Sequence, residues 1–169
     1  MFLKIIGTGL LMISSSGYGF YLKNRYRKRL LGIEEVCQYL EELKGEIKYR
    51  NQDFFRVFLE LEKNRRTPFL GQVICKELKS GKSISEAWCI SVKENADRMA
   101  LKGHEKMILL ELGNQLGKSN SETQTNLLIL YQNKLHMLWK GLKKEEQNQC
   151  KMYSTLGILG GVMIGLIVV

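Results

Sequence analysis

The sequence predicts an all-α protein: a cytosolic antiparallel bundle of about six helices, with one transmembrane helix at each terminus. Three observations lead to this prediction. The 169 residues include a single proline, and 44% hydrophobic with 25% charged residues is typical of a folded chain rather than a disordered one. An uncharged segment lies near each end of the sequence. Between these segments, apolar residues recur with helical spacing.

The first and last segments have the length of membrane helices. Residues 5–22 and residues 152–169 each form a run of 18 residues without a charge. A helix of that length extends about 27 Å, close to the hydrocarbon core of roughly 30 Å. We therefore predict transmembrane segments at residues 1–22 and 152–169 and a cytosolic helical domain at residues 23–151. A cleaved signal peptide is the alternative for the first segment.

A run of cations follows the first segment. It comprises Lys23, Arg25, Arg27, Lys28 and Arg29, whereas only Lys4 and the amino terminus precede the segment. By the positive-inside rule this run stays in the cytoplasm, and cations at such a position contact anionic lipids. We predict a two-pass protein of the cell membrane in which these five residues contact the membrane surface.

Two apolar stripes predict the long helices of the bundle. One consists of Ile33, Val36, Leu40, Leu43 and Ile47, and the other of Leu128, Tyr131, Leu135, Leu138 and Leu142. Each advances by three and four residues, as one face of a helix does. Because both helices adjoin a membrane segment, we expect them to pack antiparallel. An intermolecular coiled coil is the alternative use of the same stripes.

Shorter helices are predicted between the two stripes. Thr67-Pro68 and Ser80-Gly81 mark boundaries, and Ser83 with Glu86 has the spacing of a capping box at a helix start. Ser119 with Glu122 repeats that spacing. Together with Gly117, which can end the preceding helix, they predict a rigid turn. This turn is a candidate docking site for a partner, with Gly117, Ser119, Asn120, Glu122 and Gln124 as its residues.

The last segment also has a candidate packing face. Gly157, Gly161 and Gly165 recur every four residues, so two backbones could approach closely there. We predict that these glycines support transmembrane packing, including a possible homo-oligomer. The alternative interpretation is that these glycines have no packing role, because glycine is common in membrane helices.

The sequence contains no motif that predicts an enzymatic reaction. The sequence lacks a phosphate-binding loop, a nucleophile elbow and a zinc-binding H-E-x-x-H, and its four cysteines and two histidines lack the spacing of a metal site. We therefore expect no enzyme activity, no metal and no cofactor. Nucleic-acid binding is not expected either, because residues 23–29 supply most of the net positive charge of the cytosolic domain and the rest of that domain is nearly neutral.

The order of several short motifs resembles the stage III sporulation protein AB family of endospore-forming bacteria. The resemblance covers nearly the whole chain and rests on Leu40, Leu43, Glu46, Ile47 and Tyr49; on Gly81, Ser83, Ile84, Ser85, Glu86, Ala87 and Trp88; on Leu112, Gly113, Leu116, Gly117, Ser119 and Gln124; and on Lys151, Tyr153, Leu156, Gly157 and Gly160. Lys44, Asp53 and Asn120 depart from the pattern of the family.

The resemblance implies a function as well as a fold. The family is similar to the platform proteins of type II secretion systems, whose cytoplasmic domains are six-helix bundles. It implies a non-enzymatic scaffold in the mother-cell membrane facing the forespore, within a secretion-like channel complex. The implied partners are other channel proteins, including a secretion-type ATPase. The alternative is a helical module directed to anionic lipids, without an ATPase partner.

Overall fold

A computed structural model describes the backbone of residues 2–50, 54–63 and 69–168. It describes side-chain surroundings at residues 21, 24–48, 56–61, 70–149, 151, 152 and 155. Within these residues all regular elements are α-helices and none are strands, which confirms the predicted all-α class. The helices are α1 (Phe2–Arg50), α2 (Phe54–Lys63), α3 (Phe69–Lys79), α4 (Ile84–Asn95), α5 (Gly103–Gln115) and α6 (Ser121–Val168).

The predicted membrane segments are continuous in the backbone with the long helices. α1 has 49 residues and α6 has 48, so no helix boundary falls at residues 22/23 or 151/152. In the part of the chain that the structure describes, none of the helices has the length and apolar character needed to cross a membrane. The surroundings of residues 1–20 and 156–169 lie outside the described part. The two spans therefore remain predictions.

The chain divides into two compact units. One contains Met1–Lys28 with Gly141–Val169, and the other, which we call the bundle, contains Arg29–Lys140. In the bundle, the Ser121 hydroxyl donates to the carbonyl of Ile47 at 2.9 Å, and the Gln132 side-chain amide donates to the carbonyl of Cys37 at 3.3 Å. Later residues of α6 thus meet earlier residues of α1. The two helices run antiparallel in the bundle, as predicted.

The predicted stripes form the core of the bundle. All five residues of the first stripe are at most 3% exposed, and in the second stripe Leu128, Tyr131 and Leu135 are equally buried. Leu138 is only half-buried. The stripes pack internally, which favours a single bundle over an intermolecular coiled coil made by the same residues.

Trp88 connects three helices at the centre of this core. Its indole nitrogen donates to the carbonyl of Leu109 at 2.8 Å, which ties α4 to α5. Its ring stacks on Tyr39 of α1 with the centroids 6.1 Å apart. Both side chains are at most 1% exposed. The carbonyl of Leu109 satisfies the buried indole nitrogen of Trp88 at a helix-to-helix contact.

Candidate functional site

The turn between α5 and α6 begins with a left-handed glycine. Gly117 has φ +76°, while the amide of Leu116 still donates to the carbonyls of Leu112 and Gly113. A side chain at this φ would be strained, which is the reason that glycine ends the helix here. The prediction that Gly117 takes a left-handed, helix-ending conformation is confirmed.

The cap of α6 differs from the prediction by one residue. The side chain of Asn120, not of Ser119, accepts the free amide of Thr123, at 3.0 Å. The Ser119–Glu122 capping box is not formed, because the Ser119 hydroxyl instead accepts the side-chain amide of Gln124 at 2.7 Å. Ser83 and Glu86, in contrast, form the predicted box at the start of α4, with both reciprocal hydrogen bonds present. The prediction of a cap was therefore wrong at Ser119 and correct at Ser83.

Gln124 holds the turn together from inside. Its side chain is fully buried. The amide nitrogen donates to the carbonyl of Gln115 at 3.2 Å as well as to Ser119, and the amide oxygen accepts the backbone amide of Gly117 at 3.3 Å. One side chain thus connects the end of α5, the turn and the first residues of α6. Because a buried, satisfied polar network restricts the backbone, the turn is rigid.

A groove lies beside this turn. It has a volume of about 430 Å³, and it is lined by Leu78, Lys82, Ser83, Ile84, Ser85, Leu116, Gly117 and Lys118. Leu78 and Leu116 form part of an apolar floor, since they are buried, whereas Lys82 and Lys118 are exposed at the rim. The structure therefore brings the predicted turn together with the α3–α4 connection, which the sequence did not associate with it.

Two lysines stand at the rim of the groove. Lys82 forms an ion pair with the carboxylate of Glu77, and Lys118 is exposed. Asn120 and Glu122, predicted as part of the same docking turn, are also exposed. An apolar floor with cations at its edge suits a partner segment that carries an apolar side chain beside carboxylates.

The structure separates Arg29 from the other described cations that follow the first segment. Arg25, Arg27 and Lys28 are exposed, and Lys23 lies outside the described side chains. Arg29 belongs to the bundle instead, because its guanidinium nitrogen donates at 2.8 Å to the fully buried carboxylate of Glu105. The second oxygen of that carboxylate accepts the backbone amide of Lys102 at 3.1 Å. Arg29 thus contributes to a contact between α1 and α5.

The remaining predicted site residues belong to the last segment. Gly157, Gly161 and Gly165 fall within α6, but their surroundings lie outside the described residues. In the described part of the chain, no group of three or more His, Cys, Asp or Glu side chains could hold a metal ion.

Three comparisons place the chain among known proteins. A family profile described as stage III sporulation protein AB matches residues 4–169. The stage III sporulation protein AB of Bacillus subtilis strain 168 is 24% identical over 168 residues, covering 98% of both chains. A solved structure of a stage III sporulation protein AB (SpoIIIAB) has a similar fold with a TM-score of 0.63 and 22% identity, covering 72% of this chain and 98% of the solved one. The family profile spans nearly all of the sequence, and the chain therefore belongs to the stage III sporulation protein AB family.

Proposed function

We propose that this protein is a non-enzymatic platform in a secretion-like channel complex of endospore formation. In this proposal it crosses the mother-cell membrane at both ends and faces the forespore, with the bundle in the cytoplasm. Its task is to hold a secretion-type ATPase and other channel proteins in position. The proposal is supported by family membership and by one structural observation, the groove with two lysines at its rim beside the rigid turn between α5 and α6.

The rigidity of the turn gives the proposal its physical basis. A platform must present its contact surface in one conformation, since a surface that orders only on binding loses affinity to the entropy of ordering. Gln124 removes this loss by fixing the turn from inside through its three hydrogen bonds. The groove next to the turn offers an apolar floor, and Lys82 and Lys118 select for an acidic partner surface.

Charge reversal at the rim tests this proposal. The full-length chain and the secretion-type ATPase would be produced together, solubilised gently from membranes and purified through a tag on the chain. With Lys82→Glu and Lys118→Glu combined, we expect the captured ATPase to fall by about tenfold or more, because like charges then face each other.

The matched control uses lysines elsewhere in the bundle. Lys93 on α4 and Lys102 before α5 are exposed and do not line the groove. Lys93→Glu with Lys102→Glu changes the net charge equally, so capture should stay at the level of the unmodified chain. Equal capture by both double variants would contradict docking at the groove.

The exposed cations favour a second candidate function. Arg25, Arg27 and Lys28 form a positive surface on α1 that could direct the protein to anionic lipids without an ATPase. Mass spectrometry of lipids retained by the purified full-length chain separates the two candidates. Changing all three residues to Gln should abolish retention of anionic lipid under this alternative, while leaving ATPase capture unchanged under the platform proposal.

A further inference from the structure

The connection between α4 and α5, residues 96–102, lies at one end of the bundle, together with the first bundle residues of α1. In the first turn of α5, the carboxylate of Glu105 accepts a hydrogen bond from the guanidinium of Arg29 at 2.8 Å. At the opposite end, the turn after α5 leads into Ser121 of α6, whose hydroxyl donates to the carbonyl of Ile47. We call these the Arg29 end and the Ile47 end. The α4–α5 connection belongs to the first, and the turn with its groove belongs to the second.

The α4–α5 connection is fixed by its own backbone and by α1. The amide of Ala100 donates to the carbonyl of Asp97 at 3.1 Å, and Ala100 has φ +53°, a value that a side chain adopts only where its surroundings enforce it. Met99 is buried, and its carbonyl oxygen packs closely against Gly32 of α1. The connection therefore presents its exposed side chains in one arrangement, which avoids the entropic cost of ordering on binding.

The surface of this stretch carries an excess of positive charge. From residue 93 to residue 106 the cations are Lys93, Arg98, Lys102 and the half-buried Lys106, whereas the exposed carboxylates are Glu94 and Asp97. The remaining carboxylate, that of Glu105, is fully buried and paired with Arg29, so it adds no negative charge to the surface. Four cations thus stand against two exposed anions. An anionic partner suits this surface.

The position in the chain points to a membrane as that anionic partner. In the proposed two-pass topology the first span ends at residue 22, and the seven residues from there to Arg29 extend about 10 Å along α1. The headgroup layer extends roughly 5–8 Å beyond the hydrocarbon core, and anionic headgroups attract cations held this close. Ile47, in contrast, lies about 37 Å beyond residue 22 along the same helix. Only the Arg29 end is within reach of the lipids.

We propose that the α4–α5 connection contacts the anionic headgroups of the membrane, with its cations placed against lipid phosphates. The proposal rests on the two-pass topology of the proposed function and extends it. The contact steadies the bundle against the membrane at the Arg29 end. The Ile47 end, which carries the groove, stays open to the ATPase, so the two partners bind at opposite ends of the platform.

Lipid photocrosslinking tests the proposal. The full-length chain would carry a photoreactive amino acid in place of His104, which is exposed in the first turn of α5. It would be reconstituted into vesicles of phosphatidylglycerol and phosphatidylcholine in equal amounts. We expect a lipid adduct, detected by mass, from position 104 but not from position 120, an exposed position at the Ile47 end. Vesicles of phosphatidylcholine alone should lower the yield at position 104 by about tenfold or more.

Charge reversal provides a matched pair of variants. Arg98→Glu with Lys106→Glu should lower the yield in the anionic vesicles by about tenfold or more, because carboxylates then face phosphates. Lys76→Glu with Lys79→Glu changes the net charge equally at exposed positions in the last turn of α3, and it should leave the yield unchanged. Equal yields from the two double variants, from the two kinds of vesicle, or from positions 104 and 120 would overturn the proposal.

A probe at Met12, within the predicted first span, separates this proposal from the topology on which it rests. Lipid adducts at position 12 with none at position 104 would overturn the headgroup contact alone. No adduct at either position would overturn the two-pass topology as well. ATPase capture through Lys82 and Lys118 is measured after solubilisation, where lipid contacts of Lys102 play no part, so failure of the platform function is recognised independently.

Discussion

At the scale of single residues, the close approach of α1 to the chain after α4 depends on Gly32. A Cβ atom built at position 32 would overlap the carbonyl oxygen of Met99, which is backbone and cannot turn away. Gly45 lies in the same helix with nothing within 4 Å of the same position. The two glycines should therefore respond oppositely to alanine.

We expect Gly32→Ala to destabilise the protein by about 1–3 kcal/mol through overpacking. Gly45→Ala should stabilise it by about 0.5–1 kcal/mol, because alanine loses less backbone entropy in a helix. Thermal unfolding followed by circular dichroism would show the two shifts. A shift of the same sign for both variants would mean that the contact with Met99 does not decide the result.

Cys37 is predicted to react as a weakly acidic thiol. Burial, and then the nearby carboxylate of Glu34, raise its pKa to about 11. Only the thiolate reacts with maleimides, and at pH 8 it forms about one thousandth of a thiol with this pKa. The rate at Cys37, measured by mass spectrometry of its peptide, should rise about tenfold per pH unit from pH 8 to pH 10. A plateau near pH 9 would contradict the raised pKa.

At the scale of elements, the turn between α5 and α6 should be sensitive to the amide of Gln124. Gln124→Glu removes the donors to Gln115 and Ser119, and it places a carboxylate in a buried site. We expect a loss of about 1–3 kcal/mol in the free energy of unfolding. The reverse exchange at an exposed neighbour, Glu122→Gln, should change it by at most about 0.5 kcal/mol. Equal effects in chemical denaturation would argue against the buried network.

The contact between α1 and α5 should contribute much less to stability when one of its two charges is removed. Arg29→Ala leaves the Glu105 carboxylate buried with the backbone amide of Lys102, so we expect a loss of about 3–5 kcal/mol. Arg27→Ala, an exposed position, is the control. Replacing both partners, Arg29→Met with Glu105→Leu, should recover most of the loss in the same unfolding measurement. No recovery would mean that Arg29 acts through another contact.

The helices could be predicted from sequence, but the polar side chains that pack beside them could not be recognised as packed. The stripes beginning at Ile33 and Leu128 were read from apolar spacing alone. Arg29, Glu105 and Gln124 each lie four residues before a buried apolar residue, so each continues a core stripe by one step. The position of each polar residue on a core stripe can therefore be read from the sequence. The partner of each polar group cannot, because Arg29 and Glu105, for example, are 76 residues apart and meet only in the folded chain.

The groove could not be predicted from the sequence, for a related reason. Its lining comes from the α3–α4 connection and from the turn after α5, and local patterns do not reveal which loops meet. The predicted cap of α6 lies one residue before the observed cap, because Ser119 and Asn120 are both good capping residues. The hydrogen bond from Gln124 to Ser119 decides between them.

At the scale of the whole molecule, the proposed topology can be tested with intact cells. Single cysteines at position 3 and position 94 would be treated with a membrane-impermeant maleimide, and the unmodified chain would give the background. We expect Leu3→Cys to react from outside, and Glu94→Cys, exposed on α4, to react only after the membrane is opened. Reaction of position 94 in intact cells would contradict a cytosolic bundle.

Arg29 is synthesised well before its partner, Glu105. Glu105 is 76 residues further on, so at about 5–20 residues per second it is synthesised about 4–15 seconds after the arginine. In the proposed topology, the guanidinium would be free during that interval to act with its four neighbours in orienting the nascent first segment. Folding then pairs it with the buried carboxylate of Glu105. Under this proposal the same charge would serve insertion first and stability afterwards, and Arg29→Lys would keep the first role while weakening the second.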